Sequence, residues 1–411
     1  MTSRSDSTRL LTRPLVAVCL ADFVGLTAFY LLLSVVPAYA TEHGAGDIGA
    51  GLTTAALMLS TVAAEFAVPR AMAWFGPRAV LAVGLALLGL PALLLPFLLT
   101  WQAVAASCVL RGIGLAIVFV VCGTLSAELI PAERRGEGLG LLGIVAGLPA
   151  VFGMPLGVWL AERAGYPVVF VAGAVVALAG LVAVAALPGG AVTAGVSSGP
   201  SLSTALRTGA LVRPALVFGS TAMAAGVFVT FLPGALPAGS SGLAALILLL
   251  QSVAATASRC WAGRWGDRHG AAKLLPPGVA MAAIGVFGMV WVGNPVAVLA
   301  GSVVFGAGFG VAQNASLAML YDRMPASSYG VATALWSAAY DGGLGLGAAG
   351  FGLLTGWTGF PVGLIVLGCV LLVATLGSRA DRLDRPRAAT TAGDRPLPAG
   401  AVAIATGERA A

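Results

Sequence analysis

Charge is what this sequence has least of. Asp, Glu, Lys and Arg make up 9% of its 411 residues, against roughly a quarter in a soluble globular chain. Hydrophobic residues make up 59%, and the mean hydropathy is +0.98. That shortage excludes a water-soluble domain and places the chain in a lipid bilayer. Histidine is nearly missing too. His43 and His269 are the two present, and the topology below puts them on opposite sides of the membrane. No cluster of His, Cys or carboxylate ligands can then form one centre, so no enzyme activity, metal or cofactor is expected. Cys19, Cys108, Cys122, Cys260 and Cys369 lie in apolar runs with neither paired nor metal-binding spacing, and read as packing residues. Lysine occurs once, at Lys273, against 21 arginines. With the abundant Ala and Gly, this points to a GC-rich bacterial genome and an inner-membrane address. The first apolar run follows Arg4, Arg9 and Arg13 without a small-residue cleavage site, so it reads as a start-transfer helix.

What is present is a series of apolar runs about 20 residues long, which at 1.5 Å per residue matches a hydrocarbon core of about 30 Å. Twelve spans are expected. Six run over 14–38, 48–68, 78–99, 102–125, 136–160 and 167–187, and six over 214–236, 242–262, 272–292, 295–320, 329–354 and 361–376. Residues 188–213 read as a flexible Gly/Ser/Thr linker with a possible short helix at Leu202–Leu211, and 379–411 as a disordered tail. With both termini inside, 20 of the 22 basic residues fall on the cytoplasmic side, the others being Arg163 in an outer loop and Arg111 within a span. The net charge of +6 is therefore a topology signal and implies no nucleic acid partner.

The chain also repeats itself. An offset of 194 carries Arg70 and Gly76 onto Arg264 and Gly270, Gly112 and Gly114 onto Gly306 and Gly308, and Gly153 onto Gly347. It also carries Gly165-Tyr166-Pro167-Val168 onto Gly359-Phe360-Pro361-Val362. A constant offset over about a hundred residues marks a duplicated unit. An even number of spans per half makes the two units parallel, as in transporters whose halves rock about a central site. The expected fold is all-α and membrane-integral, with a half at 1–187, a cytoplasmic linker, and a second half at 214–378.

Here the sequence resembles a known family. The stretch from Gly263 to Gly270, Gly-Arg-Trp-Gly-Asp-Arg-His-Gly, read as a charged turn, resembles the loop signature of the major facilitator superfamily in its place between the second and third spans of a half. Arg111-Gly112-Ile113-Gly114 resembles that family's Arg-Gly motif. Gly143, Gly147, Pro149, Gly153, Pro155 and Gly157 resemble the fifth-span motif of its antiporters. The resemblance implies a drug:proton antiporter of the twelve-span efflux branch. It also implies a latch in which Asp267 and Arg268 engage the start of the fifth span near Arg134 and Arg135. The first-half copy departs from the pattern at Pro69 and Ala73, so Asp267→Asn is expected to impair transport far more than any change at Ala73.

Four ionisable side chains fall within spans: Asp22, Glu65, Arg111 and Asp341. Burying each is costly, so they are expected to face a cavity or a partner. In the family fold the first and fourth spans line the cavity, which puts Asp22 in reach of Arg111, either as a proton-coupling pair or as a static ion pair. Asp341 has no basic partner at its depth. It is either a proton carrier or part of a neutral network with Tyr340, Gln313 and Asn314. Glu65 and Arg259 are related by the offset and read as inner-rim gate or topology residues. Aromatic candidates for the cavity are Phe29, Tyr30, Phe228, Phe231, Trp336 and Tyr340, each also readable as packing. The resulting expectation is a monomeric, proton-coupled exporter of a small organic molecule. The alternative is proton-linked uptake of a sugar or carboxylate, against which stands an expected shortage of fixed polar groups in the cavity.

Overall fold

The structure is a computed structural model that describes residues 11–98, 100–131, 134–187, 207–236, 241–325 and 328–383. With no water at hydrocarbon depth to satisfy backbone groups, apolar runs of this length fold as helices. The twelve long helices are α1 (Arg13–Leu33), α2 (Gly46–Glu65), α3 (Pro77–Leu94), α4 (Trp101–Leu129), α5 (Arg135–Ala164), α6 (Tyr166–Ala185), α7 (Gly209–Ala235), α8 (Ser241–His269), α9 (Leu275–Gly288), α10 (Pro295–Asp322), α11 (Tyr329–Thr358) and α12 (Phe360–Leu383). Ten runs are long and apolar enough to cross a membrane. The first of them, Arg13–Glu65, doubles back at His43 and Gly44 and supplies two crossings. Glycine-rich α11 completes the twelve. Ends are set locally: Thr12 accepts from Leu15 N at 3.4 Å, and Asn294 from Val296 N and Ala297 N at 3.1 and 3.3 Å.

The duplication is visible in the backbone. Gly76 and Gly270 both take left-handed φ, +77° and +92°, as do Gly165 and Gly359 at +84° and +78°; each pair is separated by the same 194 residues. Helix crossings repeat as well. A Cβ on Gly112 would sit 2.2 Å from Leu57 O, and one on Gly306 would sit 2.3 Å from Gln251 O, again 194 apart on both partners. Thus α4 crosses α2 as α10 crosses α8, at a distance only glycine permits. Gly306→Ala is expected to lower the unfolding temperature of the purified protein. Gly350→Ala, which would meet nothing within 4 Å, is expected not to.

The structure corrects the reading of the loop signature. Residues 263–269 are not a turn: α8 runs unbroken through His269 and stops only at Gly270. Nothing in that stretch breaks a helix, and Trp261, Trp265 and His269 stack at four-residue spacing, with centroids 6.2 and 4.4 Å apart. In the first half Pro69 stands where Gly263 does. There a separate short helix, Val68–Phe75, starts with that proline near its N-terminus. Two cysteines also depart from expectation. Cys19, Cys108 and Cys122 are buried, but Cys260 and Cys369 are exposed on the outside of the bundle. Residues 188–206 of the expected linker and 384–411 of the expected tail lie outside the described residues, and α7 begins already at Gly209.

Candidate transport site

The two halves meet along two seams, α2 against α11 and α5 against α8. Between the seams lies a cavity of about 240 Å³, open at one end. Its walls come from α1, α2, α4 and α5 of one half and α7, α8, α10 and α11 of the other. The cavity occupies the part of the bundle nearer the arginine-rich face. At the opposite end the halves are sealed. Thr54 and Thr230 share a buried 2.8 Å hydrogen bond, and a Cβ on Gly51 or Gly352 would lie 2.3 or 2.5 Å from Ala348 O or Asp47 O across the seam.

The lining mixes polar and aromatic side chains. Asp341 on α11 faces Glu65 of α2 closely enough for the two to interact electrostatically. Arg259 of α8 acts in the same way on Tyr30 and Tyr340, whose hydroxyls approach each other across the halves. Gln251 and Ser252 are buried at 7% exposure each and sit 3.5 Å apart, and Thr256, Gln313 and Ser337 add further donors and acceptors. Trp336 and Tyr340 stack at 5.9 Å and 12°. Phe218 backs both rings, and Trp336 Nε1 donates to Ser316 Oγ at 3.0 Å, which fixes the indole.

Of the residues expected at the site, Phe29, Tyr30, Glu65, Gly147, Arg259, Gln313, Trp336, Tyr340 and Asp341 line the cavity. Others do not. Phe228 and Phe231 line a separate, wholly apolar pocket with Met289, Phe351 and Phe360. Cavity-facing α7 residues are Ala225 and Val229, and one residue from Val229 turns the side chain by about 100°. Asn314 packs against Gly263 on α8 instead.

The expected Asp22–Arg111 pair is not formed, and helix register explains why. Position 25 of α1 packs against Val118 of antiparallel α4. Asp22 lies three residues toward the arginine-rich face and Arg111 seven residues away from it, so about 15 Å of depth separates them. Asp22 sits one turn from Leu26 on the mouth side of the cavity wall, near Cys19 and Cys122. Arg111, 1% exposed, lies one turn beyond Leu115 toward the sealed end, and its Nε and Nη1 have no hydrogen-bond partner.

Among the described residues no contact of the expected latch is seen. Asp267 and Arg268 are exposed at the end of α8, and no ion pair involves Asp267 among the described residues. Arg134, just before α5, pairs with Glu137 in the first turn of that helix, and the side chain of Arg135 lies outside the described residues. In α5, Pro149 and Pro155 sit inside the helix. A Cβ on Gly153 or Gly157 would meet Tyr30 Cβ at 2.6 Å or Leu31 O at 2.0 Å, so these glycines let α5 pack against α1. Among the described residues no group of three His, Cys, Asp or Glu could hold a metal. Sequence reasoning missed Gln251, Ser252 and Thr256. Gln251, a polar side chain in the middle of an apolar run, was the available signal.

Twelve helices in two parallel six-helix repeats around a polar central cavity define a membrane-embedded secondary transporter, not an enzyme. The chain belongs to the major facilitator superfamily, whose family description matches residues 18–250 and 214–407. No curated protein sequence matches it significantly. Among solved structures it is similar to the nucleoside transporter NupG (13% identity, TM-score 0.72, covering 91% of this chain and 100% of that one). It is also similar to a D-xylose-proton symporter (14%, 0.74, 90% and 97%) and to the inward-open xylose transporter XylE from E. coli (15%, 0.70, 89% and 95%).

The efflux, antiport and multidrug-resistance reading is withdrawn: the similar solved structures named above are a nucleoside transporter and sugar transporters. Two observations bear on the grounds for that reading: Gly153 and Gly157 of the fifth-span motif serve close packing of α5 on α1, and the cavity, expected to be short of fixed polar groups, holds several.

Proposed function

We propose that this transporter takes up a small, ring-bearing polar nutrient, a sugar or a nucleoside, together with protons. The observation that carries the reading is the cavity itself: a carboxyl, Asp341, near a second one, Glu65, set among amide and hydroxyl groups and next to a stacked Trp336–Tyr340 pair on the same helix. Such a pair suits the apolar face of a sugar or the plane of a base, and the amides and hydroxyls suit ring hydroxyls. The printed descriptions of a nucleoside transporter and a D-xylose-proton symporter among similar structures support the same class.

The positive-inside pattern puts the arginine-rich face and both termini in the cytoplasm of a bacterial plasma membrane. The cavity is then the inward-facing state, and a monomer with halves at 1–187 and 214–378 rocks about it. In the outward-facing state Asp341 takes a proton and the solute binds; inward, both leave. One proton moving down a 100 mV potential contributes about 2.3 kcal/mol, enough for a concentration ratio of a few tens.

Two outcomes test the solute class. Added sugars or nucleosides raise the unfolding temperature of the purified protein, because a ligand of the folded state stabilises it by mass action, whereas lipophilic cations do not. If only lipophilic cations stabilise it, the proposed class is wrong. Trp336→Ala raises the KM for that solute by about ten-fold through loss of the stacking face, while Phe228→Ala, in the separate apolar pocket, leaves KM unchanged.

A further inference from the structure

We propose that Glu65 and Arg259 are the two halves of an ion pair that closes the arginine-rich mouth of the cavity when the other end opens. They are the same position of the duplicated unit: 194 residues separate them, as 194 separates Leu57 from Gln251, the residues on their own helices that Gly112 and Gly306 pack against. Glu65 ends α2 and Arg259 lies ten residues before the end of the longer α8, and the repeat places them at equal depth on opposite sides of the axis relating the halves. Both are half-buried and line the cavity rather than lipid. Their charges are opposite, which the duplication alone does not produce.

In the present arrangement the mouth is open, and among the described residues neither side chain holds an ion pair. Glu65 instead faces Asp341 of the other half, and Arg259 acts on Tyr30 and Tyr340. These groups, with Asp22 nearer the mouth, are the titratable neighbours of the pair. Rocking the halves to narrow the mouth carries the carboxylate and the guanidinium toward each other and away from water, where a charge pair strengthens. A static topology role accounts for an arginine at this face, but not for a cavity-facing acid opposite it.

The inference rests on the alternating access assigned above, and on neither the solute nor the proton. Its test therefore needs no transport. In a background lacking the five cysteines, Leu33→Cys reports on the end of the cavity that is sealed here. A membrane-impermeant maleimide reaches it from outside only when the mouth is closed and the far end open. Arg259→Glu, which faces Glu65 with a like charge, lowers that labelling rate about ten-fold, and Glu65→Arg does the same. The exchange Glu65→Arg with Arg259→Glu restores the rate to within about two-fold of the parent. Glu65→Gln and Arg259→Gln, milder for folding, each lower it several-fold and raise labelling of the same cysteine in inverted vesicles. Unchanged outside labelling in the single variants, or an exchange no faster than either single reversal, overturns the pair. Loss of solute uptake with labelling intact would instead count against the uptake reading alone.

Discussion

Asp341→Asn abolishes proton-driven accumulation of solute yet leaves solute exchange across the membrane in place. Asp341 is a cavity-lining carboxyl at the seam between the halves, with Glu65 of the other half as its nearest acidic neighbour. The two carboxyls line one cavity, one from each half. Asparagine keeps the size and a hydrogen-bonding end but cannot release a proton, so the carrier still isomerises with solute bound and no longer draws on the proton gradient. Counterflow with labelled solute inside and out stays within about two-fold of the parent, while uphill accumulation falls by about a few tens of fold, on the order of the ratio the gradient sustains. Glu65→Gln gives a smaller loss, because Asp341 keeps its proton site. If Asp341→Asn still concentrates solute, the proton passes elsewhere. Asp22→Asn, at the mouth and away from the seam, is then the next variant to measure.

Arg111→Met is expected to stabilise the fold and destroy transport. Arg111 is 1% exposed, and two of its nitrogens lack a partner. An uncompensated buried guanidinium costs several kcal/mol, so an apolar side chain of similar length relieves the fold. The unfolding temperature in detergent therefore rises by a few degrees. Uptake nevertheless falls to background, because a charge kept at such cost beside the cavity's closed end is expected to act in the other access state. Lower stability in Arg111→Met would mean the guanidinium is satisfied in place, and unchanged uptake would remove it from the mechanism.

Much of the fold could be read before the structure. A hydrocarbon core demands helices of one length, and duplication leaves a fixed offset that glycine positions preserve, because Gly112 and Gly306 are held by the same helix crossing. Helix ends were less legible. Gly263 was read as a turn residue, but a lone glycine does not stop a helix, and α8 continues to the left-handed Gly270.

The site was legible in depth but not in direction. Asp341, Trp336 and Gln313 were found because polar or aromatic residues in a mid-span position must face something. Phe228 and Phe231 were misplaced because hydropathy around α7 has no strong face from which to read its rotation. The Asp22–Arg111 pair failed because family architecture says which helices are neighbours, while the register of antiparallel helices decides which residues meet. Transport direction was least legible of all. Gly153 and Gly157 of α5 have a packing role that is the same whichever way solute moves.

The most direct test of proton-coupled uptake uses the purified protein reconstituted into liposomes with an outside-acid gradient. A panel of labelled pentoses, hexoses and nucleosides is offered from outside, and solute entry and internal pH are followed together. The account predicts that at least one of these solutes accumulates above its outside concentration, that the lumen acidifies in step, and that a protonophore or Asp341→Asn removes the accumulation. No accumulation of any such solute, with lipophilic compounds driven against their gradient in exchange for protons instead, would contradict it.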